Sequence, residues 1–266
     1  MTEDFAKMMG ILSVDDMKKG ARLSRMREGK GCAACDFTGY VINSNGKTCM
    51  CSCFKERFLK DLFVKADIPR SYIGKTIDDW STREDSSGRE LGNQQLISER
   101  IYTLLKHYDK KFTKICNGES IKITHTGGIV TNLHSINFEG NVGSGKTFIA
   151  SVMVQSAIRQ NLPSKYYDWS ELISICSDFN KKTEQDEIAE EFKNLDFVAI
   201  DGIEIYSYTT PVSAQNLDRL CKARLNSGKP TMLFSLGNVS QIQGGSGWQS
   251  LLSKCLVVRL PQAINQ

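Results

Sequence analysis

The stretch Gly140-Asn141-Val142-Gly143-Ser144-Gly145-Lys146-Thr147 constrains this chain more than any other, because it satisfies G-x-x-x-x-G-K-[ST] at every position. Its glycines let the backbone curl so that successive N–H groups point inward at an anion. Lys146 adds a cation that can reach β- and γ-phosphates, and the Thr147 hydroxyl is a ligand for Mg²⁺. The apolar run SINFEG leads into the loop, and KTFIASVMVQSAIRQ leaves it with helical spacing. The loop therefore opens a helix, whose N-terminal partial charge favours phosphate. Residues 140–147 are the expected ATP site.

A phosphate loop needs an acid on a neighbouring strand to hold the metal's water shell. Asp201 ends the apolar run Phe197-Val198-Ala199-Ile200 and meets that need, because open α/β sheets place ligands at the carboxyl ends of their strands. Gly202 follows, where many such ATPases carry a second acid that orients the attacking water. Glu204 is the candidate substitute, with a plain surface role as the alternative.

Five of the nine cysteines, Cys32, Cys35, Cys49, Cys51 and Cys53, crowd one short segment. In a reducing compartment such a cluster points to metal rather than to disulfides. Cys32-x-x-Cys35 forms a knuckle, and a second pair completes a tetrahedral four-thiolate Zn²⁺ site. Cys51 with Cys53 is the preferred second pair, and Cys49 is a possible substitute for either. A closed site of that kind is structural, and stabilises a small module by up to about 10–16 kcal/mol. Cys116, Cys176, Cys221 and Cys255 stand singly and are expected as small buried apolar residues.

The remaining chain gives an α/β pattern. QQLISERIYTLLKHYDKKF has the 3.6 period of a helix, and IKITHTGGIV predicts a hairpin turning at Gly127-Gly128. SINFEG, NLDFVAIDG, PTMLFSLGN and LVVRL predict short strands, buried on both faces and separated by helices, hence a parallel sheet. We divide the chain into a zinc module over 1–66, a linker over 67–93 and an ATPase domain over 94–266. Phe5, Met8, Met9, Ile11 and Leu12 are available to line one helical face of the N-terminal segment. Ser86, Ser87 and Gly88 are expected to break structure in the linker. The length of 266 residues allows one good-sized core plus a small module. A formal charge of +4 is too small to announce nucleic-acid binding. No apolar run reaches the ~18 residues of a membrane span. The N-terminus lacks a signal-peptide core, so the expected location is cytoplasmic.

Several segments together resemble the DnaC/DnaI/IstB group of AAA+ ATPases, above all DnaC-like loaders of replicative helicases. CAACDFTGYVI followed by CMCSC is similar to their zinc-binding entry, and KADIPRSYIGKTIDDW to their connecting segment. The phosphate loop and Asp201 match the core, and KARLNSGKPTMLFSLGN resembles the run into the γ-phosphate sensor. The resemblance implies an AAA+ P-loop core with a reduced or absent lid behind a zinc module. It implies ATP, Mg²⁺ and Zn²⁺ as cofactors. Partners implied are a DnaB-type helicase, single-stranded DNA and further copies on the helicase ring. Asn238 is the expected sensor, with Ser235 in reserve. The family's arginine, which reaches a neighbour's nucleotide and is worth about 10³–10⁵ in rate, has no match before Arg259. Lys254 stands near its place, and Arg219 and Arg224 are alternatives, although a lysine lacks the planar fork. Slow hydrolysis or a different ring contact is the expected consequence.

For DNA contact, Phe179 beside Lys181 and Lys182 combines an aromatic with cations, and Tyr206 and Tyr208 follow the acidic strand. Three functions are weighed: a helicase loader, an ATP-binding adaptor with little hydrolysis, and an IstB-like transposition helper. The zinc module argues against the last.

Overall fold

The structure is a computed structural model. It describes residues 32, 34–35, 39–80, 92–124, 130–204 and 210–261. The N-terminal apolar face from Phe5 to Leu12, the breakers Ser86 to Gly88, the Gly127-Gly128 turn, Tyr206 and Tyr208 lie outside the described residues. The chain divides into two compact units, Met1–Ala66 and Asp67–Gln266.

In the first unit, β1 (Tyr40–Ile42) and β2 (Thr48–Met50) pair antiparallel, with Val41 opposite Cys49. The Asn43 side chain closes their turn by accepting from the N–H groups of Asn45 and Lys47. Helix α1 (Ser52–Lys65) buries Phe54, Phe58 and Leu62. Their four-residue spacing puts them on one helical face, and Tyr40 packs on Phe54 with ring centroids 5.6 Å apart.

The second unit contains a parallel five-stranded sheet in the order β6-β7-β8-β5-β9. Its strands are β5 (Ser135–Glu139), β6 (Ser164–Asp168), β7 (Phe197–Glu204), β8 (Thr231–Leu236) and β9 (Cys255–Arg259). The strand leading into the phosphate loop is thus separated from the Asp201 strand by β8. A hairpin of β3 (Ile121–Thr124) and β4 (Val130–Leu133) stands apart from this sheet. The strand β6 was not among the sequence expectations.

Helices cover both faces. On one, α2 (Gly92–Cys116) and α3 (Lys146–Arg159) pack together, with Phe112 edge-on to Phe197 at 4.9 Å. On the other lie α4 (Trp169–Ser177), α5 (Lys182–Asn194), α6 (Pro211–Ser227) and α7 (Gly245–Ser253). They bury Trp169, Phe192, Leu217 and Trp248 against Val198, Ile200 and Leu233. Residues 198 and 200 face this layer while 197 faces the other, the two-residue period of a doubly covered strand. Among the described residues no helix follows β9, and no helix is long and apolar enough to cross a membrane.

The expected linker over 67–93 needs correction at its start. Residues 67–80 belong to the second compact unit and form two short 3₁₀ turns, Arg70–Tyr72 and Ile77–Asp79. The side-chain amide of buried Gln155, on α3, accepts from Gly74 N–H at 2.7 Å and donates to Tyr72 C=O at 2.8 Å. Trp80 donates to Ser98 Oγ at 2.9 Å. Asp78 takes a hydrogen bond from Tyr102 and an ion pair from Lys106, both on α2, and these partners hold its carboxyl below the usual range. These bonds supply what a helix or strand would otherwise give the segment's polar groups.

Candidate nucleotide and metal sites

Residues 140–145 connect β5 to α3, so the loop stands at the carboxyl end of a central strand and at a helix N-terminus. Gly145 has φ +92°, in the left-handed region that favours glycine. A Cβ there would lie 2.7 Å from the Trp80 ring, so the close approach also demands glycine. Gly140 N–H donates to Ser235 C=O at 3.1 Å, tying the loop's first residue to β8. Lys146 Nζ donates to the carbonyls of Gly140 and Asn141 at 2.6 and 2.7 Å. Burial pulls its pKa down, and the Asp201 charge opposes that shift. Ser144 Oγ is buried without a protein partner, an orphaned donor inside the loop that a phosphate oxygen would satisfy. Asn141, Val142 and Gly143 are exposed at the tip, and Thr147 is half-buried on the first turn of α3. Tyr72, Trp80 and Phe148 form an aromatic wall beside the loop's helical end, with Trp80 and Phe148 centroids 5.9 Å apart.

Asp201 is 4% exposed and accepts a hydrogen bond from Tyr166 Oη at 2.9 Å. Burial first, and then the Asp201 charge, push the Tyr166 phenol well above its usual range, so it remains a donor. Thr147 and Asp201 offer the hard oxygen donors that suit Mg²⁺. The β7–β8 register shifts between Ile200 and Ile203, and Gly202 within the shift has φ +76°. The second-acid position therefore carries no side chain and has a backbone shape that disfavours one. A Cβ at Gly202 would sit 3.7 Å from Asp168 Oδ2. Glu204, the candidate substitute, is exposed at the last position of β7.

Of the two sensor candidates, Ser235 is buried at the carboxyl end of β8, with Oγ 3.3 Å from Asn137 Oδ1 and 3.0 Å from Gly237 C=O. Asn238 is exposed and accepts from Ser240 N–H at 2.9 Å, so it caps the short 3₁₀ turn Val239–Gln241. Sequence reasoning passed over Asn137, a buried amide in an otherwise apolar strand interior.

Arg224 cannot reach a neighbouring molecule. It is fully buried, and its guanidinium donates to the carbonyls of Phe192, Leu195, Asp196 and Pro230 and to Thr231 Oγ1. Burial lowers its pKa to about 10, which leaves it charged at neutral pH. Arg219 is paired with Asp186 at 2.6 Å, Lys254 is exposed just after α7, and Arg259 lies 3.7 Å from Glu139 with 86% of its side chain exposed.

In the first unit the Sγ atoms of Cys32, Cys35, Cys51 and Cys53 all lie within 4.8 Å of one another. The Cys32–Cys51 and Cys35–Cys53 separations are both 3.7 Å. Zn–S bonds of about 2.3 Å in a regular tetrahedron require sulfur–sulfur edges of about 3.8 Å. The four thiols thus fit one zinc ion. A backbone N–H from Cys53 pulls the Cys51 thiol down to about 7. Cys49 is apart from the cluster, with Sγ accepting from Asn43 Nδ2 at 3.3 Å. The other thiols fit the apolar expectation: Cys116, Cys176 and Cys221 are buried and Cys255 nearly so, and burial pushes Cys116 and Cys255 up to about 12.

Phe179 is 77% exposed, and Lys181 pairs with Glu184 at 3.4 Å. Phe179, Lys182, Arg219 and Lys222 line a groove of about 760 Å³ beside α5 and α6, and no residue of the phosphate loop lines it.

These features define an α/β fold with a parallel sheet and a phosphate loop, preceded by a four-cysteine cluster, and the fold is shared with solved structures of DnaA, DnaI and DnaC. The structure is similar to a crystal structure of DnaI (TM-score 0.52, 11% identity) over 73% of this chain and 94% of that one. It is similar to the DnaC helicase loader (0.51, 12%) over 73% and 100% of the two chains. It also matches AMPPCP-bound DnaA from Aquifex aeolicus (0.50, 15%), again over 73% of this chain but only 51% of DnaA, so the chain spans about half of that relative's length. No family model matches the sequence, and no curated protein does.

Proposed function

We propose that this protein is an ATP-dependent helicase loader, which binds a DnaB-type replicative helicase and helps place it on single-stranded DNA during replication. The observation that carries the reading is a complete phosphate loop and a buried acid on a sheet whose fold covers nearly all of DnaI and DnaC. In this reading Lys146 exchanges its bonds to Gly140 and Asn141 for β- and γ-phosphate oxygens. Backbone N–H groups of residues 140–147 and the Ser144 hydroxyl complete the cradle. The wall of Tyr72, Trp80 and Phe148 offers an apolar surface to the nucleobase. Thr147 and Asp201 would hold Mg²⁺, which when bound neutralises charge on the phosphates. Either Ser235 or Asn238 reports the γ-phosphate, and Ser235 has the better position because its strand touches Gly140. Cys32, Cys35, Cys51 and Cys53 hold Zn²⁺ in the helicase-contacting module, residues 1–66. Phe179 and the cations of the neighbouring groove supply stacking and phosphate contacts for DNA.

The test is co-elution of the full chain with a DnaB-type helicase from the same cells, together with phosphate release with and without single-stranded DNA. ATP-dependent co-elution and DNA-stimulated release are expected. No association under any nucleotide condition would remove the loader reading. The second reading, an adaptor that binds ATP and hydrolyses little, is favoured by one feature, the bare Gly202 at φ +76°. Helicase association without any phosphate release would select it.

A further inference from the structure

Gly202 leaves the proposed ATPase without a second acid next to Asp201, and the fold brings another carboxylate to that place. Asp168 ends β6 and is the register partner of Asp201 in the parallel β6–β7 pair. Asp168 therefore stands at the carboxyl end of β6, and Asp201 lies beside it within β7, three residues before that strand ends, toward the edge of the sheet where the phosphate loop also lies. Tyr166, two residues before Asp168 and so on the same face of β6, hydrogen-bonds Asp201 and fixes which face all three share. A side chain at 202 would start 3.7 Å from Asp168 Oδ2.

The two oxygens of Asp168 are divided between tasks. Oδ1 caps α4, accepting from the N–H groups of Ser170 and Glu171 at 2.9 and 3.1 Å. Oδ2 is the one turned to Gly202. A cap of this kind holds the carboxylate in one orientation, which a water-directing group requires. Glu204 lacks such support, since it is exposed at the end of β7.

We infer that Asp168 is the catalytic carboxylate of this site, orienting the attacking water in place of the residue missing at Gly202. The inference rests on the ATPase reading above. The water oxygen forms a bond to the γ-phosphorus while the bond from that phosphorus to the β–γ bridging oxygen breaks, its electron pair leaving with ADP. The water proton passes to Asp168 Oδ2 and from there to solvent, so the products are ADP, inorganic phosphate and a proton.

The test compares Asp168→Asn with the wild type in the full-length protein. Asparagine caps a helix about as well as aspartate and keeps the Oδ1 acceptor, so folding and nucleotide affinity are separable from chemistry. Phosphate release is measured beside equilibrium binding of a fluorescent ATP analogue. The inference predicts a fall in turnover of about 100-fold or more, with affinity changed less than about threefold, a loss of under ~0.65 kcal/mol. Wild-type turnover in Asp168→Asn overturns the inference and leaves the ATPase reading standing. Loss of turnover in Glu204→Gln but not in Asp168→Asn gives the role to Glu204 and overturns it equally. A wild-type protein that binds ATP and never releases phosphate contradicts both the hydrolytic reading and this assignment.

Discussion

Arg224 shows how much one residue can organise without touching a ligand. Its guanidinium gathers carbonyls from the end of α5, the approach to β7 and the entry to β8, groups that have no water to turn to. Among the described residues no carboxylate is hydrogen-bonded to it; carbonyl dipoles and the Thr231 hydroxyl surround the charge, and the Asp196 carboxylate acts on it from a distance. Replacing it by methionine keeps much of the volume and leaves those acceptors buried and unpaired. Arg224→Met is expected to lose about 3–5 kcal/mol, read as a lower urea midpoint with unchanged slope. A loss below about 0.5 kcal/mol would show that the carbonyls find other partners. From sequence this arginine is only an alternative for contact with a neighbour, offered because the expected arginine has no match before Arg259, with a core or surface role the stronger expectation. Nothing in KARLNSGKP reveals that the guanidinium reaches main-chain carbonyls at Phe192, Leu195 and Asp196, far away in sequence. The loop between strand and helix at 140–145 was legible for the opposite reason, since its pattern is local to eight consecutive residues. Asp201 was legible because an apolar strand announced its position.

At the scale of elements, the strands with buried apolar centres, Phe197–Glu204 and Thr231–Leu236, were readable from sequence, as was Ser135–Glu139, whose Ile136 and Phe138 flank Asn137. Ser164–Asp168 was not. Its run SKYYD is short, has polar residues at both ends and follows a proline, and its strand character comes from pairing with β7. That omission hid Tyr166 and Asp168 together, so the missed strand and the missed site residues have one cause. The segment 67–80 was read as linker for a related reason. Its 3₁₀ turns have no period, and its partners Gln155, Ser98 and Tyr102 are remote in sequence. The cysteine module was partly legible: spacing announced a metal site but could not choose four thiols from five. The fold separates them, because Cys49 sits within β2 while Cys51 and Cys53 stand at the start of α1. Metal analysis of the full chain is expected to find one zinc per protein and to find it still in Cys49→Ser. Cys35→Ser is expected to lose it, along with protection of the α1 amides from exchange. Zinc retained in Cys35→Ser and lost in Cys49→Ser would reassign the ligand set.

For the whole molecule, the order β6-β7-β8-β5-β9 places β8 between the phosphate-loop strand and the acid strand. That spacing separates loop from acid by one strand and lets β8 present Ser235 between them, so three polar elements stand at the same end of the sheet. Helical layers on both faces bury the sheet and fix the relative positions of its strand ends, and function then depends on what those ends carry. The sharpest test of that arrangement is equilibrium titration of a fluorescent ATP analogue, with Mg²⁺, into wild type and Lys146→Ala. The account predicts saturable binding by the wild type and affinity weakened about tenfold to a hundredfold by the substitution, the cost of one charged hydrogen-bonding group. Equal affinity in the two proteins would contradict it.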